Sequence, residues 1–283
     1  MFLASAPGKL ILLGEHSVVY GHRAIAAAVS LSTRVHLKPQ GGPTTLIGSA
    51  IDDPRLEEAL SLALPERGFG VEIYTDLPVG RGMGSSAALA IALLRAGDMA
   101  RGEVSSFASL YQRGFELERL FHGNPSGLDH AVSALGGALV YRKGQQPEPV
   151  RMPPTQVVVL DTRLAGDTAQ LVAGVASRRP RVDPHLEALG DLVEQALLVL
   201  DDPIALGAMM NEAQTHLRAI GVSSPEIEVL VELALANGAS GAKLSGAGGG
   251  GVVLALTPHG SHDLLEAAAA RGIQAFACTL PER

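Results

Sequence analysis

Leu77-Pro78-Val79-Gly80-Arg81-Gly82-Met83-Gly84-Ser85-Ser86-Ala87-Ala88 leads directly into a stretch, Ser85 to Met99, that is rich in Ala and Leu and predicts a helix. Glycines let a backbone curl around an anion, and a helix N-terminus aims free N–H groups at it. Serine hydroxyls at the same place reach a phosphate or its metal ion. The structural alternative is a glycine-rich turn that caps a core helix. A Walker A loop is excluded, because no Lys-Ser or Lys-Thr follows the glycines at the required spacing.

Composition sets the frame around this element. The chain has 283 residues, 47% hydrophobic and 18% charged, with a formal net charge of −7. This describes a globular protein of one large or two ordinary domains, able to bury its own core. It is too apolar to be disordered, and it lacks the basic surplus that a nucleic-acid or anionic-lipid partner would require. The single cysteine, Cys278, excludes a disulfide scaffold and suits a reducing compartment. The longest apolar run, Ala87 to Leu94, stops at Arg95, far short of a bilayer span. Lys9 and Glu15 bracket the apolar part of the N-terminus, unlike a signal peptide, so a cytoplasmic location is expected. Glycine is the outlier: its 33 residues cluster at Gly80 to Gly84, Gly136 to Gly137 and Gly246 to Gly251.

Working outward, strand-length apolar runs occur at Leu10 to Leu13, Ala24 to Val29, Val35 to Leu37 and Val71 to Tyr74, with a helix over Pro54 to Leu64. After the glycine element come helices over Ser105 to Phe121 and Ser126 to Ala134, separated by a turn at Gly123 to Pro125, and a strand at Ala138 to Tyr141. Lys143 to Pro147 is the best candidate linker. It divides the chain into expected domains 1–146 and 147–283. The second half opens on Val157 to Leu160, a β-branched run of the kind found in buried strands. Helices follow from Pro184, Pro203 and Pro225, where proline is tolerated at a helix start. The chain ends in strands at Ala242 to Ser245, Val252 to Leu256 and Gln274 to Thr279, with a helix from Ser261 to Arg271 between the last two. Mixed elements without regular βαβ alternation favour an α+β fold.

Two further motifs accompany the first. Lys243-Leu244-Ser245-Gly246-Ala247-Gly248-Gly249-Gly250-Gly251 contains a G-x-G-x-x-G pattern, but it runs into the strand Val252 to Leu256 and not into a helix, which rejects a Rossmann loop. Five glycines in six residues exceed the needs of a tight turn, so a loop pressed against a ligand is expected. Pro7-Gly8-Lys9-Leu10-Ile11-Leu12-Leu13-Gly14-Glu15-His16-Ser17-Val18-Val19-Tyr20-Gly21 is a strand with charges at both ends. In this order the three motifs resemble the GHMP kinases, named for galactokinase, homoserine kinase, mevalonate kinase and phosphomevalonate kinase. Glu118 to Asp129 and Leu217 to Ser223 are similar to the mevalonate-directed members, as is the variant Gly14 to Gly21. Arg81, Met83 and Val252 depart from the usual pattern, Val252 standing in place of a common cysteine. Arg81 either adds a charge near the phosphates or points to solvent.

The resemblance implies a two-domain GHMP kinase fold with the active site in the cleft between domains. It further implies ATP- and Mg2+-dependent phosphorylation of a small hydroxy acid, mevalonate, at its 5-hydroxyl, feeding isoprenoid synthesis. Asp129 is implied as the catalytic base and Lys9 as its partner. Ser86 and Glu118 are implied as metal ligands, with Ser85 the open alternative to Ser86. Gly80, Arg81, Gly82, Met83, Gly84, Ser85 and Ser86 would hold the ATP phosphates, with Gly246 and Gly248 closing the site. His16, Glu15 and Lys9 would bind the acid substrate. Each residue has a structural counterpart role: a surface lysine, an exposed helical Glu118 paired with Arg119 or another neighbour, a helix-start Asp129, a buried core histidine. The other eight histidines lack metal-ligand spacing and are expected to be mostly solvated. Another GHMP small-molecule kinase, for phosphomevalonate or a sugar, is the alternative enzyme. A non-catalytic ligand sensor on the same fold is the alternative of a different class. No nucleic acid or membrane is expected as a partner, and a homodimer is left open.

Overall fold

The computed structural model describes residues 1–122 and 126–281, so the turn expected at Gly123 to Pro125 lies outside the described residues. Two compact units interleave along the chain. The first comprises residues 1–9, 31–79 and 84–136, and the second residues 10–30, 80–83 and 137–283.

In the first unit, β4 (Arg67–Thr75) lies between β3 (Thr45–Ser49), to which it is parallel, and the C-terminal part of β2 (Arg23–Pro43), to which it is antiparallel. The helices are α1 (Leu56–Ala63), α2 (Ser85–Arg101), α3 (Phe107–His122) and α4 (Leu128–Leu135). Residues Ala87 to Leu94 of α2 are all buried, so this helix is apolar on every side and forms the centre of the unit, packed on α1, α3 and α4. Each fully buried Leu or Ile there contributes about 1.5–3 kcal/mol relative to exposure. Small residues let the neighbours approach: a Cβ on Gly114 would stand 2.7 Å from Ile91 Cδ1.

In the second unit, β7 (Thr155–Asp161), β8 (Gly241–Ser245), β9 (Val252–Leu256) and β10 (Gln274–Leu280) form an antiparallel sheet in the order β10-β7-β9-β8. The run Val157 to Leu160 is fully buried, as its composition required, although its partners on both sides are antiparallel. Helices α5 (Thr168–Ser177), α6 (Asp183–Ala196), α7 (Pro203–Ala219), α8 (Pro225–Ala236) and α9 (His262–Ala270) complete the unit. The N-terminal part of β2 pairs with β5 (Ala138–Arg142), which pairs in turn with β6 (Glu148–Val150).

The expected strands at Ala24 to Val29 and Val35 to Leu37 are one strand, β2, since the polar stretch Ser30 to Arg34 stays extended while the pairing partner changes from β5 to β4. Lys143 to Pro147 is the turn of the β5–β6 hairpin; its polar composition is that of a tight turn and does not mark a free linker here. Helix α5 went unread; its only buried residue is Val175. Strand β1 (Phe2–Leu13), which pairs with β2, begins well before its apolar part.

Candidate active site

Helix α4 begins just after Gly127, whose φ of 93° is left-handed and suits glycine, and this start puts Asp129 in the first turn. Its Oδ2 lies 3.3 Å from Lys9 Nζ, with side chains 26% and 3% exposed respectively. Lys9 is therefore not a surface lysine. Ser133 Oγ donates to Pro7 O at 2.8 Å, tying α4 to β1 and holding this ion pair in register. Gly84, the residue before α2, comes so close to Lys9 that an added Cβ would stand 3.0 Å from Lys9 Cγ. Ser85 and Ser86 then open α2, both half-buried, on the helix that packs against α3 and α4.

Glu118 lies on α3 and is buried, so it is not an exposed helical residue, and Arg119 pairs instead with Glu116. Its Oε2 is 2.5 Å from Nδ1 of His130, which is itself fully buried beside the rings of Tyr111 and Phe115. His130 is thus an exception among the histidines that were expected to be mostly solvated. It is Asp129's immediate neighbour in sequence, and α4 so carries the candidate base and the partner of the candidate metal ligand side by side. Glu118 and Ser86 supply carboxylate and hydroxyl oxygens, the hard donors that suit Mg2+.

In the second unit, Gly80 and Gly82 take φ of 72° and 79°, and Met83 is fully buried. Arg81 does not point freely to solvent: its Nε lies 3.4 Å from Oδ2 of Asp161 at the end of β7. The second glycine loop presses mainly against its own chain. A Cβ on Gly248 would stand 2.1 Å from Val222 O, and Gly249 N donates to the same carbonyl at 2.8 Å. Gly246 is the open position: an added Cβ would stand 3.9 Å from Gly82 O.

At the end of β1, Gly14 (φ 98°) and His16 (φ 60°) turn the chain sharply. Glu15 is buried, and its carboxylate accepts from Lys243 Nζ, another fully buried group. His16 Nε2 lies 2.8 Å from Ala247 O. Burial is the main cause that moves the His16 pKa below the ordinary histidine value; the hydrogen bond to Ala247 opposes it and the charge of Arg178 adds to it. The thiol of Cys278 is pushed up to about 12 by burial, which makes it an inert core group.

Lys243, His130 and Asp161 escaped the sequence reading. Only Lys243 carried a usable signal, a charge inside an otherwise apolar strand. His130 and Asp161 stand in no motif that marks them, and their partners, Glu118 and Arg81, are set by how the chain folds.

This arrangement, a carboxylate beside an ammonium, oxygen donors on adjoining helices and a glycine loop opening a helix, is suited to phosphoryl transfer. Residues 46–137 match the model for the GHMP kinases N terminal domain and residues 186–274 that for the GHMP kinases C terminal. The chain belongs to the GHMP kinase family. Within that family it is 39% identical to the mevalonate kinase of Pyrococcus horikoshii over 90% of this chain and 88% of the relative. It is 35% identical to the mevalonate kinase of Aeropyrum pernix over 99% and 96%. The solved L. major mevalonate kinase in complex with R-mevalonate matches with a TM-score of 0.88 at 27% identity, over 100% of this chain and 96% of that one. Among the described residues no helix is long and apolar enough to cross a membrane.

Proposed function

We propose that this chain transfers the γ-phosphate of ATP to the 5-hydroxyl of mevalonate. The observation that carries this reading is the Lys9–Asp129 ion pair at the head of α4, in a chain whose relatives of more than a third identity are named mevalonate kinases. Asp129 accepts the proton of the attacking hydroxyl, and the Lys9 ammonium stabilises the negative charge that develops on its oxygen. The N–H groups at the start of α2 and the backbone of Gly80 to Gly84 hold the phosphates. Ser86 and Glu118 would hold Mg2+, and His130 keeps Glu118 from turning away. Held there, Mg2+ would supply charge neutralisation for the transferred phosphate. His16 contacts the acid substrate, while Gly246 faces the phosphate loop at Gly82.

A coupled assay for ADP release with ATP, Mg2+ and either mevalonate, phosphomevalonate or galactose tests the proposal. Turnover is expected with mevalonate. Turnover with one of the other acceptors alone would reassign the substrate, and none with any of the three would favour a binding role.

A further inference from the structure

Lys243 and Glu15 form an ion pair whose side chains are both fully buried, and the Lys243 ammonium also donates to Leu244 O at 2.6 Å. A buried ion pair gains little over apolar residues of the same volume, because desolvation offsets its Coulomb attraction. The pair is therefore better explained by what it holds in place. β1 and β8 belong to different sheets, so side chains join their ends. Ser245 Oγ accepts from Ile11 N at 2.9 Å and donates to Ile11 O at 3.2 Å. Two residues before Ser245, Lys243 reaches Glu15; two residues after it, Ala247 O meets the ring of His16 at 2.8 Å. A carbonyl only accepts, so His16 Nε2 carries the proton, and in the neutral ring Nδ1 bears the lone pair.

We propose that Lys243 is a positioning residue for the acceptor substrate: by clamping Glu15 it holds His16 in the Nε2–H form, so that Nδ1 accepts a hydrogen bond from a substrate hydroxyl. On this reading Glu15 acts through His16, and recognition of the substrate carboxylate falls to other groups. The inference rests on the assignment of His16 to the acceptor substrate.

The test uses the full chain and two variants, Lys243→Met and the double variant Glu15→Gln with Lys243→Met. Lys243→Met removes the ammonium that faces the buried Glu15 carboxylate and is expected to lower Tm. The double variant buries no charge and is expected to recover Tm. In the double variant the mevalonate KM is expected to rise at least tenfold with the ATP KM within twofold of wild type, and 15N spectra of labelled histidine should show His16 losing its single Nε2–H form. The His16 signals are assigned by difference from His16→Gln. Unchanged mevalonate KM and tautomer in a stable double variant would overturn the proposal. So would an equal rise in both KM values, a double variant that cannot fold, or an Nδ1–H tautomer in the wild type. Failure of the wild type to phosphorylate mevalonate would instead strike the substrate assignment, and the spectra would still decide how Lys243 acts on His16.

Discussion

Replacing Asp129 by Asn separates the proposed proton acceptor from everything else the residue does. The substitution keeps volume and one carbonyl oxygen toward Lys9, but it removes the negative charge that lies 3.3 Å from Nζ. At that distance Coulomb's law with an effective dielectric constant of about 20 gives about 5 kcal/mol of gross attraction, a ceiling that desolvation of the buried lysine reduces to about 1–3 kcal/mol net. Loss of a general base costs a factor of about 10²–10⁴. The expected result is a fall of that size in kcat, with ATP affinity within about threefold of wild type and Tm lower by a few degrees. Steady-state ADP release, ATP titration calorimetry and thermal melts measure the three quantities. Adding Lys9→Met to Asp129→Asn should recover Tm without recovering kcat, because it removes the buried charge that Asp129 faced but not the need for a base. A kcat for Asp129→Asn within tenfold of wild type would eliminate Asp129 as the proton acceptor.

Ser86→Ala and Glu118→Gln should each raise the Mg2+ concentration for half-maximal activity by about tenfold, since each removes or weakens a hard oxygen donor; unchanged titrations in both would move the ion elsewhere. In Gly14→Ala the new Cβ would stand 2.6 Å from Ala24 Cα and Arg23 O at a φ of 98°. Left-handed strain and overpacking together cost about 3–5 kcal/mol, lowering Tm by about 10 °C, and a stable variant would show that the turn has another conformation open to it. Because burial holds His16 below its unfolded value of 6.5, unfolding takes up a proton as pH falls through and below 6.5. Stability from this residue is full above that pH and is lost in acid. His16→Gln should therefore have a shallower fall of Tm between pH 7.5 and 5.5 than wild type. His216, also lowered chiefly by burial, remains in both proteins and cancels from the difference; parallel curves would refute the argument.

Sequence alone determined whatever depends on neighbours along the chain. The glycines and serines before α2, proline at the starts of α7 and α8, and the β-branched run of β7 each constrain their own backbone, so these elements were legible at nearly their observed bounds. The expected linker and the divided β2 were misread for the opposite reason. A polar stretch looks the same whether it is a free connection, a hairpin turn or a strand changing partners, and only the neighbouring strands distinguish these cases. The partners of the charged groups were likewise decided by tertiary structure. Arg81 finds Asp161, Glu118 finds His130, and Glu15 finds Lys243 at a separation of 228 residues. A buried charge must be paired, which sequence can state, but which group pairs with it depends on the path of the whole chain, and no local pattern encodes that.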